Sequence, residues 1–256
     1  MSMVEFVRDQ LTVKIFETRA QLGVAAAEAF SEKVREFLAD REYVNIIFAS
    51  APSQNEFLEE LKAQDIDWAR VNAFHMDEYV GLDKEAPQAF GKFLRDRLLN
   101  SVTCREAHYL DGNAEDPEAE CQRYAALLEQ YPTDIVCLGI GANTHLAFND
   151  PHVADFSDPK IVKVVDLDEQ NRLQQVSDGC FDRLEDVPTL ALTITIPALF
   201  KARYASAVAP GEIKASAIYH TVNSEVSEKY PSTILRKHKN AVLYIDVKSA
   251  QKVFQK

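Results

Sequence analysis

The chain has 256 residues, with 40 Asp and Glu against 28 Lys and Arg, a formal charge of −12 that is split as −18 over residues 1–200 and +6 over residues 201–256. Such an excess of acid repels nucleic acid and anionic membrane unless a local basic patch intervenes, and the basic end is too diffuse to supply one. A small anionic substrate is still allowed, because one phosphate needs only one or two cations and some backbone N–H groups.

Residues 1–10 carry acids and no apolar h-region, so no signal peptide is expected. No apolar run approaches the roughly 20 residues of a membrane span. Leu11 to Phe16 alternates and reads as an edge-type strand. Residues 22–40 place Leu22, Ala26, Phe30, Val34, Phe37 and Leu38 on one helical face. Residues 44–49 form a short apolar strand, 54–63 a helix and 70–76 another strand. Helices are predicted over 88–99 and 117–130, the latter with Pro117 in its first turn. Residues 134–140 are a near-continuous apolar strand, 190–196 are β-rich, and 204–209 and 241–246 read as strands flanking a helix near 212–222.

Strands alternating with helices imply an α/β fold with a mostly parallel sheet covered on both faces. No linker, low-complexity tract or repeat interrupts the chain, which favours a single domain over residues 1–256. The four cysteines, at 104, 121, 137 and 180, lack metal-like spacing and read as reduced thiols of a cytoplasmic protein. The six histidines are scattered, so no metal site is expected.

Parallel sheets bind ligands beyond the carboxyl ends of their strands. Three such ends carry chemistry here. Ser50-Ala-Pro-Ser53 precedes a helix and could hold a phosphate, although Ser53 followed by Glu56 also fits a capping box. Asp77 and Glu78 follow the strand at 70–76. Side chains alternate along a strand, so one of the two faces the crevice, where desolvation would suit it to move protons; a simple cap is the alternative. The third end is Gly139-Ile-Gly141, followed by Asn143, His145 and Asp150. Paired glycines permit close backbone approach, and a carboxylate near a histidine can fix its tautomer for acid–base work.

At these residues the chain resembles the glucosamine-6-phosphate deaminase/6-phosphogluconolactonase family. Met76-Asp-Glu-Tyr79 with Gly81-Leu82 is similar to a deaminase motif, and Gly139 through Pro151 is similar to a second. The likeness extends through Val187-Pro188 to Lys214. It implies a Rossmann-like three-layer α/β/α fold, a phosphosugar substrate, and no metal or other cofactor. It assigns proton shuttling to Asp77, ring opening to His145, support of that histidine to Asp150, and phosphate binding to Lys214. Ser50, Ser53 and Gly141 are expected to bind substrate, with Ser50-Ala-Pro-Ser53 replacing the family's usual threonine- and glycine-rich phosphate loop.

Several positions depart from the family pattern. Asn143 stands where an Asp is usual, and an amide can orient a substrate or His145 but cannot trade protons. Thr144 replaces Gly, and Asp150 replaces Glu. The phosphate arginine aligns near Asp178, six residues past Arg172, which is the nearest substitute. The expected function is an amino-sugar-phosphate isomerase/deaminase. The alternatives are a phosphosugar lactonase and a non-catalytic sugar-phosphate sensor. No nucleic-acid or membrane partner is expected, and a homo-oligomer is compatible with the sequence.

Overall fold

A computed structural model describes residues 3–177 and 179–255. In chain order the elements are β1 (Val4–Arg8), β2 (Leu11–Phe16), α1 (Arg19–Ala39), β3 (Val44–Phe48), α2 (Asn55–Leu61), β4 (Val71–His75), β5 (Asp77–Tyr79) and α3 (Phe90–Leu94). There follow β6 (Glu106–His108), α4 (Pro117–Gln130), β7 (Ile135–Leu138), β8 (Val162–Asp166), α5 (Glu169–Ser177), β9 (Leu190–Ile194), α6 (Ile196–Phe200), β10 (Tyr204–Val208), α7 (Ala215–Asn223) and β11 (Ala241–Asp246).

The main sheet has the order β1-β2-β11-β10-β7-β3-β4-β6. Every pairing is parallel except the β1/β2 hairpin. Alternation along the central strands feeds two cores. Ile46, Phe48 and Ile135 face α1 and α2, while Ile47, Val136 and Leu138 face α4 and α7, so the sheet is the middle of three layers.

Local signals explain the long helices. The Thr18 hydroxyl caps α1 by accepting from the Gln21 N–H, and Leu22, Ala26, Phe30, Val34 and Leu38 are its buried stripe. Asp116 caps α4 through the N–H groups of Glu118 and Ala119, with Pro117 at the first position. Phe30 is wholly buried, its ring 5.9 Å from Phe48 and 5.8 Å from Phe57. Burial of such a ring is worth about 2 kcal/mol, well above the few tenths that separate most helix propensities.

Three features differ from the sequence pattern. Leu11–Phe16 is not an edge, because β1 pairs along its outer side. In that strand only Phe6 is partly buried, so it lacks the alternation that marks β2. The apolar run at 70–76 does not continue straight on: the chain leaves the main sheet at Met76, and β5 joins β9 and β8 in a second, antiparallel sheet. The polar helix α5 follows β8. Among the described residues no helix is long and apolar enough to cross a membrane.

Candidate active site

A cavity of about 240 Å³ lies beyond the carboxyl ends of β3, β4, β7 and β10. This is where the sheet changes direction: from β3 the chain builds outward through β4 and β6, and from β7 it builds the other way through β10 and β11. Ser50 and Ser53 reach the cavity after β3, Asp77 after β4, Gly141 and His145 after β7, and Lys214 after β10. Met76, Phe90, Phe93 and Phe148 supply apolar wall.

Asp77 and Glu78 separate as strand alternation requires. Asp77 lines the cavity. Glu78 turns away and accepts from the backbone N–H groups of Phe90 at 3.1 Å and Gly91 at 2.8 Å, so it caps the start of α3, whose own N-cap, Ala89, has no side-chain acceptor. The cap and the shuttle candidate are therefore neighbours rather than alternatives for one residue. Burial pushes the Asp77 carboxyl well above the usual carboxylate range, and the adjacent Glu78 charge adds to the rise.

His145 is the apex of a buried polar cluster. Its Nδ1 lies 2.8 Å from Asn143 Oδ1 and 3.0 Å from Asp150 Oδ1. The Asn143 amide donates its Nδ2–H to Asp150 at 2.9 Å, which fixes the amide orientation and leaves Oδ1 to accept from the His145 ring and backbone N–H. Two acceptors at Nδ1 assign the proton to that nitrogen, so Nε2 is the one left for chemistry. Burial alone would raise the Asp150 pKa, but hydrogen bonds and charge from His145, with donors from Asn143 and Asn171, hold it at about 2.

The loop that builds this cluster is tightly constrained. A Cβ at Gly141 would fall 2.2–2.4 Å from three atoms of the His145 ring. The glycine therefore makes room for the catalytic candidate itself rather than for a ligand alone. Gly139 is less demanding, with its nearest neighbours at 3.4 and 3.5 Å. Thr144 and Ala147 both hold positive φ, at 75° and 51°. For a β-branched threonine this is a strained conformation. Thr144 is buried, its hydroxyl donates to the Asn143 carbonyl, and it does not line the cavity.

Asn143 and Asp150 are not in the cavity wall; they stand behind His145 and orient it, the place expected of Asp150 and one of the two open to Asn143. Two other sequence-based expectations need correction. Ser53 and Glu56 do not form a capping box, because Glu56 pairs with Arg19 and the Ser53 hydroxyl accepts from Gln54 Nε2. Arg172 is directed elsewhere: its guanidinium donates to the carbonyls of Leu184 at 2.7 Å and Val187 at 3.0 Å. Asp178, the aligned position of the phosphate arginine, lies outside the described residues.

Residues that the sequence did not single out complete the site. Asn171 of α5, 1% exposed, donates to both oxygens of Asp150 at 3.0 and 2.9 Å. Gln174, also on α5, accepts from the Ala142 N–H and lines the cavity with Gln175. Arg19 lines it from the first turn of α1. Asp150, His152 and Asp168 bring ligand atoms within 4.8 Å of one another, but both Asp150 oxygens already accept from Asn171 and His152 Nε2 is 3.1 Å from Asp166. These contacts account for the cluster as a hydrogen-bonded support.

A sequence profile described as glucosamine-6-phosphate isomerases/6-phosphogluconolactonase matches residues 17–244. A glucosamine-6-phosphate deaminase of an Exiguobacterium species is 38% identical over 191 residues, covering 75% of this chain and 73% of its own. One from Streptococcus sanguinis is 33% identical over 230 residues, covering 90% and 94%. Among solved structures, a monomeric glucosamine-6-phosphate deaminase superposes with a TM-score of 0.86 at 26% identity, over 93% of this chain and 98% of that one. The 6-phosphogluconolactonase of Thermotoga maritima shares the fold, with a TM-score of 0.76 at 16% identity over 92% and 99% of the two chains.

Proposed function

The chain belongs to the glucosamine-6-phosphate isomerase/6-phosphogluconolactonase family, and on that basis we propose that it is a cofactor-independent deaminase, converting an amino-sugar 6-phosphate to a ketose phosphate and ammonia. The observation that carries this reading is the pairing, in one cavity, of a desolvated carboxylate, Asp77, with an imidazole, His145, whose Nδ1 is anchored.

The residues take their roles in sequence. Nε2 of His145 exchanges a proton with the sugar ring oxygen as the ring opens, and the charge this places on the imidazole is balanced by Asp150. Asp77, made basic by burial, takes the proton from C2 and returns it to C1, turning the aldose into a ketose-level imine. Water adds at C2 and ammonia departs, so the overall reaction consumes one water and releases one ammonia. Lys214, Ser50 and Ser53 hold the phosphate at the far end of the cavity. Among the described residues the buried Ser50 hydroxyl has no hydrogen-bond partner, as a group waiting for a ligand would be.

A hydrolytic lactonase reading would use His145 alone and leave the costly burial of Asp77 without purpose. The test is to incubate the protein with glucosamine-6-phosphate and with galactosamine-6-phosphate and to measure ammonia and ketose. Stoichiometric release of both from either sugar is expected. A folded protein that binds these sugars and turns over neither would overturn the proposal.

A further inference from the structure

The phosphate end of the cavity has lost one expected cation, since Arg172 is spent on the carbonyls of Leu184 and Val187. Arg19 reaches the same end from a different element. It is the first residue of α1 and lines the cavity together with Pro52, Ser53 and Lys214.

Its guanidinium is held on one side only. Nε and Nη2 form a fork with Glu56 at 2.8 and 2.9 Å, and Nη2 also donates to the Pro52 carbonyl at 3.2 Å. Glu56 is itself fixed, because α1 crosses α2 so closely at Gly23 that a Cβ there would lie 2.8 Å from Glu56 Cβ. Among the described residues nothing accepts from Nη1. That nitrogen is the nearest neighbour of Gly211, 3.9 Å from where its Cβ would be, and Gly211 starts the turn that carries Lys214. A planar guanidinium with two N–H groups uncommitted suits a phosphate oxygen better than an ammonium would.

We propose that Arg19 is a phosphate-binding residue of this chain, oriented by Glu56, and that it takes the part left vacant by Arg172. The assignment rests on the phosphosugar reading above but concerns only recognition of the phosphate.

The test is binding rather than turnover. Calorimetry with inorganic phosphate and with glucose-6-phosphate should show Arg19→Gln weakening both about tenfold or more, as expected for a lost charge-assisted pair. KM for the aminosugar phosphate should rise by a similar factor while kcat changes little. Lys201→Gln, which removes an exposed cation that is not part of the cavity wall, controls for net charge and should leave affinity unchanged. Because Arg19 also joins two helices, Arg19→Gln/Glu56→Gln serves as a second variant, replacing the ion pair with an amide pair. It should bind as weakly as the single variant. Wild-type phosphate affinity in either variant would overturn the assignment. A protein that binds phosphate through Arg19 yet releases no ammonia would overturn the deaminase proposal and leave this one standing.

Discussion

Asp150 Oδ1 lies 3.0 Å from His145 Nδ1, and the Asp150 side chain is wholly buried. It is the one carboxylate hydrogen-bonded to this imidazole among the described residues, because Asn143 offers an amide where a second could stand. Asp150→Asn should therefore lower kcat about 100-fold with KM nearly kept, since only the partner of the group proposed to transfer the proton is lost. A stability signature should accompany it. Folding lowers the Asp150 pKa from 3.8 to about 2, so ionised Asp150 stabilises the native state by about 2 kcal/mol above pH 4. That contribution is lost as the pH falls through about 2. Urea unfolding should show the gap between wild type and variant constant near neutral pH and shrinking below about pH 4.

Asn143→Asp places a second negative oxygen against Nδ1 and converts the 2.9 Å amide–carboxylate bond to Asp150 into a like-charge contact. Both changes favour the imidazolium form. The limb of the kcat/KM profile that reports His145 should move to higher pH. An unmoved limb would show that the imidazole proton is not sensed from this side.

Asp77 poses the opposite case. Its carboxyl is raised by burial and by Glu78, so the protonated form is the one that the fold favours. The stability this gives is complete below the unfolded pKa, about 4, and is lost as the pH rises through the folded value. Asp77→Asn removes that loss. The variant should be catalytically dead, down at least about 1,000-fold in kcat, yet melt higher than wild type at pH 7. The gain should vanish near pH 4. A variant with near-native turnover would exclude Asp77 as the base.

The parts of this molecule that could be read from its residues are those that obey a period or sit at a strand end. β11 appears as a continuous apolar run, α1 as a stripe of five buried positions, and Asp77 and His145 by their place after apolar strands. What escaped obeys neither. β1 is exposed at every residue but Phe6, which is partly buried, and so shows no buried alternation. Asn171 belongs to a polar helix, and its partner Asp150 is 21 residues away; only the turn signal of Asp168, which accepts from the Asn171 N–H at 2.6 Å, marks the helix start. Arg19 and Glu56 are 37 residues apart on two helices, and nothing local in either segment ties one to the other. Arg172 was misplaced for the same reason, since its carbonyl partners follow 12 and 15 residues later.

Arg172→Gln follows from that correction. The guanidinium ties α5 to the segment at 184–187 through three hydrogen bonds, one to Leu184 and two to Val187. Its loss should cost about 1–2 kcal/mol of stability, as expected when carbonyls lose a charged donor. Affinity for inorganic phosphate should stay within about twofold of wild type, since no charge-assisted contact to the anion is removed. A tenfold loss of phosphate affinity without loss of stability would return Arg172 to the binding site.

Gly141→Ala tests the geometry of the histidine directly. The new methyl would lie 2.2–2.4 Å from Nδ1, Cε1 and Nε2 of His145, too near for any rotamer adjustment of the methyl itself to relieve. Either the ring swings out or the loop shifts, and both separate Nδ1 from Asn143 and Asp150. The imidazole then loses the tautomer assignment that leaves Nε2 free, and a misplacement near 1 Å can cost about 100-fold in rate. The expected result is a drop of that order in kcat with phosphate affinity intact, because the residues proposed to hold phosphate come from other strand ends. Restoring the space with Gly141→Ala/His145→Ala should recover the melting temperature but no activity, which separates steric strain from loss of the catalytic group.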